Sequence, residues 1–285
     1  MSFDGLVATF HGRATAVLDD RRLSCETMTV TLVERVQFDS PPSKDRKVDI
    51  REIHCQDRVQ LRSQTYKLRK LVEIQTAEVW ELRLDRATGD MFAQGPGVMQ
   101  MWRRGDTPRS GLAPQQTANA NQPIQTDTSE WQYTWVKFDG QMTGRMEQRL
   151  AVFKQRVEML HGAVKLPNQV LTRDQLPKNG GFMSCDELQV MQVPTKENQK
   201  NQIQLAGEGN TWLEGQGFAA SADQVVYDES RATYILRAKG RNKVRFWHDV
   251  KPGVDQIPET FQRVEFDQAT RALRADGISG GQGSR

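Results

Sequence analysis

Four short stretches share one pattern, and that pattern leaves few folds open. Cys25-Glu26-x-Met28-x-Val30-x-Leu32, Ala77-Glu78-x-Trp80-x-Leu82-x-Leu84, Cys185-Asp186-x-Leu188-x-Val190 and Ala222-Asp223-x-Val225-x-Tyr227 each run from a small residue to an acid, then to apolar residues at every second position. Strict alternation places every second side chain on one face, which is the mark of a half-buried strand. A second unit reads Asp85-Arg-Ala-Thr-Gly-Asp-Met-Phe-Ala-Gln-Gly95. It returns as Asp267-Gln-Ala-Thr-Arg-Ala-Leu-Arg-Ala-Asp-Gly277 and, two residues longer, as Asp228 to Gly240. Asp binds its own backbone in turns and Gly accepts positive φ, so this unit reads as a turn, a strand and a bend. The interval from Ala77 to Cys185 is about two units long, so a degenerate copy is expected near Trp131-Gln-Tyr-Thr-Trp135. Each copy would contribute a few strands stacked on its neighbours.

The repeat also decides how the cysteines are read. The small position is Cys twice and Ala twice, so it needs volume rather than thiol chemistry. Three cysteines exclude a dense disulfide framework, and a Cys25–Cys185 bridge is allowed but not required. The 285 residues suffice for one large domain or two ordinary ones with a real core. Formal net charge is only +3 with 26% charged residues, which gives a nucleic-acid partner no electrostatic support. No apolar run approaches the roughly 18 residues of a membrane span. Met1 to Gly5 has neither the basic nor the apolar region of a signal peptide. Taken alone that predicts a cytosolic protein, unless the chain is a fragment or a mature form.

Polar stretches interrupt the strands at 39–47 and 194–202, and a longer one, rich in Pro, Gln, Asn, Thr and Ser, covers 103–130. The expected organisation is β repeats over 1–102, a flexible polar insertion at 103–130, continuing repeats over 131–277 and a disordered tail at 278–285. Residues 145–162 stay open. Met146, Leu150, Phe153, Val157 and Leu160 have helical spacing, whereas Ala151, Phe153, Val157 and Met159 fit a strand with Gln155 as the exception. The repeat context points to strand.

Little in the chain suggests chemistry. His11, His54, His161 and His248 have no zinc-site spacing, there is no CxxC, and His54-Cys55 reads as a chance pair on a strand. Gly207-Glu-Gly209 and Gly215-Gln-Gly217 lie among strand residues rather than before a helix, as a phosphate loop would require. Glu26, Glu78, Asp186 and Asp223 form a column that reads as caps at strand starts; binding of cations or sugars is the alternative. No metal, cofactor or catalytic residue is expected.

The stretch Gly215-x-Gly217-Phe218-x-Ala220-Ser221-Ala222-Asp223-x-Val225-x-Tyr227-Asp228, closing with Leu236-Arg-Ala-Lys-Gly240, resembles the OstA-like repeat of the lipopolysaccharide transport proteins LptA, LptC and the N-terminal domain of LptD. Phe10-x-Gly12 to Val30 and Phe138-Asp-Gly140 to Gly162 look like weaker copies. The resemblance implies an all-β fold, an elongated antiparallel β-jellyroll (β-taco) of stacked repeats, whose two facing sheets enclose an apolar groove. It implies a non-catalytic, periplasmic, lipid-binding bridge protein. Its groove would be lined by Met28, Val30, Leu32, Trp80, Leu82, Leu84, Leu188, Val190, Val225, Tyr227, Leu236, Val244 and Phe246, with Arg103 or Arg104 at the rim to meet phosphates. Lipopolysaccharide or another amphipathic lipid would be the ligand. Edge strands would pair with another copy or a homologous transport protein. The alternatives are a self-assembling β-solenoid scaffold with a dry core and, less favoured, a polysaccharide-active enzyme.

Overall fold

The computed structural model describes residues 1–18, 20–36, 49–104, 131–145, 147–177, 180–193, 202–215, 217–228, 231, 233–248, 256–267 and 270–277. Nearly all of the 103–130 stretch, all of 39–47, most of 194–202 and the whole 278–285 tail lie outside these residues.

The expectation of an all-β, antiparallel fold is met. Eighteen strands form one sheet among the described residues, and every pairing is antiparallel. The strands follow one another as a meander. β1 (Ser2–Phe3), β2 (Val7–Leu18), β3 (Arg21–Leu32), β4 (Ile50–Lys67) and β5 (Lys70–Asp85) pair in succession. β5 pairs with both β6 (Asp90–Gln94) and β7 (Gly97–Arg104), two halves of one row split at Gly95-Pro96. The next row is also split: β8 (Trp131–Phe138) lies on β7 and β9 (Gln141–Arg145) on β6. Unbroken rows resume with β10 (Leu150–Val164), β11 (Gly181–Val193), β12 (Gln202–Gly215) and β13 (Phe218–Asp228). β14 (Thr233–Arg237) and β15 (Val244–His248) share the following row. β17 (Arg263–Asp267) lies on β14 and β16 (Glu259–Phe261) on β15, and β18 (Leu273–Asp276) closes the order. No described pairing joins the first edge to the last.

The doubtful 145–162 segment resolves as the strand β10. Gln155 breaks its alternation because it and Arg156 are left-handed, at φ 68° and 48°. The same event recurs across the sheet. Gly12-Arg13, Asp57-Arg58 and Gly209-Asn210 are left-handed pairs, each at a register shift. In the split rows the break falls at Gly95-Pro96, Asp139-Gly140, 238–243 and Gln262. These sites align from strand to strand into one crease, a line of bulges that bends every row.

Folding along the crease turns one sheet into two facing half-sheets. The first holds β6, β9, β14, β17 and the portions of the long strands beside them, and the second holds β7, β8, β15 and β16 with theirs. Rings meet across the gap: Phe138 lies 5.5 Å from Phe153 between centroids, and Phe218 lies 4.6 Å from Phe266. One hydrophobic cluster runs through both halves from Leu23 to Phe266. A second, smaller cluster of Ile74, Trp102, Trp131, Tyr133, Leu160, Val164 and Leu171 lies under the connection between β10 and β11. There the Trp102 indole N–H donates to the Gln169 carbonyl at 2.8 Å.

Candidate functional site

The repeated sequence pattern marks the crease. Cys25-Glu26, Cys185-Asp186 and Ala222-Asp223 sit where their strands bend. The small residue turns inward and is buried in all three. The acid turns outward, and in the Asp186 and Asp223 copies it holds the next bend. Asp186 accepts a hydrogen bond from the Asn210 side-chain amide at 2.9 Å. Asp223 accepts from the Lys239 backbone N–H at 2.6 Å and from the Asn242 amide at 2.9 Å. Asp139 does the same with the left-handed Arg156, at 2.5 Å. These acids are therefore mid-row clamps rather than caps at strand starts.

The fourth copy is displaced. In β5 the bend falls at Val79-Trp80, between the residues paired with β7 (up to Glu78) and those paired with β6 (from Glu81). Val79-Trp80-x-Leu82-x-Leu84 is thus the true counterpart of Cys25-Glu26-x-Met28-x-Val30. Trp80 takes the outward place of the acid. It is 53% exposed and lies in a depression with Arg58, Glu78 and Lys137, whereas Val79 and Leu82 are buried. Trp80 is not part of the interior column, and Ala77-Glu78 matched the pattern one pleat too early.

The other interior candidates do converge. Met28, Leu82, Leu188, Val225, Tyr227, Leu236, Val244 and Phe246 are buried in one cluster, and Leu32 is buried outside it. Val30, Leu84 and Val190 are half-buried and pack on the same cluster. The pattern did not reveal how the lining changes along the molecule. From β2 to β11 small and flexible side chains are gathered in it, Ala14, Ala16, Cys55 and Ala93 beside Met28, Met91, Met99, Met142, Met159 and Met183, with the Phe138–Phe153 pair among them. Beyond β12 it is aromatic: Phe218 stacks on Phe246 at 5.7 Å and 3°, and Tyr227 lies 4.7 Å from Tyr234. Within the soft region a void of about 30 Å³ is bounded wholly by apolar residues, among them Val59, Val79, Leu82, Met91, Met99 and Met142. Ligand pockets typically span about 300–1,000 Å³, so an occupant must part the half-sheets. Methionine, unbranched and polarizable, is the residue that repacks most readily around such an occupant.

The thiols have no reactive setting. All three are free and buried. Burial pushes the Cys185 thiol up to about 12 and raises Cys25 and Cys55 as well. Cys25 neighbours Cys55, not Cys185. Arg103, expected at the rim, is neutralised by Glu73 at 2.6 Å. His54 hydrogen-bonds Glu81 at 2.7 Å on a strand face. No cluster of three or more His, Cys, Asp or Glu able to hold a metal occurs among the described residues. No described helix is long and apolar enough to cross a membrane.

Compared by sequence, the chain matches no family model and no curated protein.

Proposed function

We propose that this chain is a non-catalytic lipid-binding protein of the lipopolysaccharide transport type, acting in the periplasm and holding acyl chains between its two half-sheets. The observation that carries the reading is the lining of the interior from β2 to β11. It is continuous and apolar, with alanine, cysteine and methionine side chains gathered among leucines, valines and the Phe138–Phe153 pair. Burying an acyl chain there would gain about 25 cal/mol for each Å² of apolar surface removed from water. The open meander supports the second half of the reading. Its first edge, β1 with β2, and its last, β18 with β16, can each add a strand from another copy or from a homologous transport protein.

The aromatic packing beyond β12 favours a second reading, a self-assembling scaffold with a dry core. Native mass spectrometry of protein purified from a lipopolysaccharide-making host, followed by competition with a fluorescent lipid A analogue, separates the two. Co-purified lipid, displaced by the analogue and lost in a folded Leu84→Glu variant, is the expected result. Lipid-free protein that ignores the analogue and polymerises would overturn the transport reading.

A further inference from the structure

We propose that the outer face of the crease, where β12, β13, β15 and β16 meet, binds a phosphate-bearing anion. A depression of about 480 Å³ lies there. Arg241, Lys243 and Arg245 line it, all three exposed. None of their side chains makes a hydrogen bond or ion pair among the described residues. Other cations of the sheet do: Arg103 has Glu73, Arg156 has Asp139, Arg173 has Glu214 and Lys239 has Glu208. The one acid in the depression, Asp223, is already occupied by Lys239 and Asn242.

Three like charges gathered without a partner repel one another, and an anion placed between them removes that cost. The groups are also arranged for oxygen ligands. Ser221, Arg245 and Thr260 are direct cross-strand partners, so two hydroxyls flank the guanidinium in one row. Arg241 rides on the turn closed by the Asn242 N–H to the Lys239 carbonyl at 3.2 Å. A guanidinium can meet a phosphate through two parallel N–H donors, and Lys243 adds a point charge.

The site does not depend on the lipid reading. Ala222 and Val244 face the interior beneath it and are buried, so the sheet separates the depression from any chain held inside. The ligand could be a soluble phosphate compound or the head group of a lipid surface, which share the chemistry recognised here.

Calorimetric titration of the full chain with inorganic pyrophosphate, at about 50 mM salt where screening is weak, tests the proposal without an acyl chain present. Binding at a single site is expected, weakened about tenfold or more in Arg241→Gln/Lys243→Gln/Arg245→Gln as charge-assisted bonds are lost. A control triple, Arg21→Gln/Arg22→Gln/Arg62→Gln, removes the same charge on β3 and β4 and should bind as wild type. Circular dichroism confirms that both variants fold. Absence of pyrophosphate binding, or equal weakening in the control, would overturn the site. Sedimentation with phosphatidylcholine vesicles, with and without phosphatidic acid, then distinguishes the sources. Co-sedimentation that requires phosphatidic acid and the three cations assigns a head group, and pyrophosphate binding without it assigns a soluble ligand.

Discussion

The carboxylate of Asp223 accepts the backbone N–H of Lys239 at 2.6 Å, joining the bend in one row to the bend in the next. The same carboxylate takes two contacts from the Asn242 amide, at 2.9 and 3.1 Å. Bent strands leave ladder groups unpaired, and at this crease position an outward acid satisfies one of them.

Asp223→Ala should therefore cost about 1–3 kcal/mol of stability, the usual penalty for orphaned partners of a charged acceptor. Asp223→Asn keeps an acceptor oxygen and should cost less. Urea unfolding monitored by tryptophan fluorescence checks both, and equal losses would show that charge rather than bonding geometry holds the bend.

Gly209 sits at φ 75°, and a Cβ there would run into the Asp186 carboxylate. Gly12 has a similar φ of 77° with nothing near a Cβ. Gly12→Ala should lose about 1 kcal/mol for left-handed strain alone, and Gly209→Ala clearly more because the clamp must also move. Thermal denaturation of the two variants gives the comparison.

Trp80 and Leu82 are two residues apart with opposite consequences. Leu82→Ala should destabilise by about 2–5 kcal/mol because it empties a packed interior site. Trp80→Ala should cost no more than about 1 kcal/mol, close to the range of surface substitutions. A loss for Trp80 as large as for Leu82 would place the bend of β5 elsewhere.

His161 is only 3% exposed, with Thr134 Oγ1 2.8 Å from its Nδ1 and no partner for Nε2. Burial holds its pKa down to about 4, against an ordinary 6.5. Between these values the unfolded chain binds a proton that the folded chain refuses. Stability is therefore full above pH 6.5 and falls as pH drops toward 4, by up to about 3 kcal/mol. His161→Gln should flatten that window in urea midpoints measured against pH. Glu187, lowered by the Gln189 hydrogen bond and by Lys154, loses its contribution only at more acid pH, below 4.5.

The thiols offer a last check. With Cys25, Cys55 and Cys185 buried and their ionisation suppressed, native protein should react with a thiol reagent only as fast as it opens. Denatured protein should release all three at once. A fast-reacting thiol in the native state would mean that the interior is solvated.

Local pattern alone was enough to specify strands and the inward column from Met28 to Phe246, because a period of two assigns each side chain to a face without reference to anything distant; the antiparallel order was implied only by the family resemblance. It also identified Cys25, Cys185 and Ala222 as small-residue sites and set aside thiol chemistry. It could not place the crease. A bulge shifts the period by one, and only the partner strands reveal where the shift falls. That is why Trp80 reads as interior and lies outside, why Gln155 looks like an exception and is a hinge, and why the acids read as caps. The change from a soft to an aromatic interior, and the gathering of Arg241, Lys243 and Arg245 beside Ser221 and Thr260, were likewise decided by the tertiary fold. Both depend on which rows lie side by side and on which half-sheet faces which, and a one-dimensional periodicity contains neither.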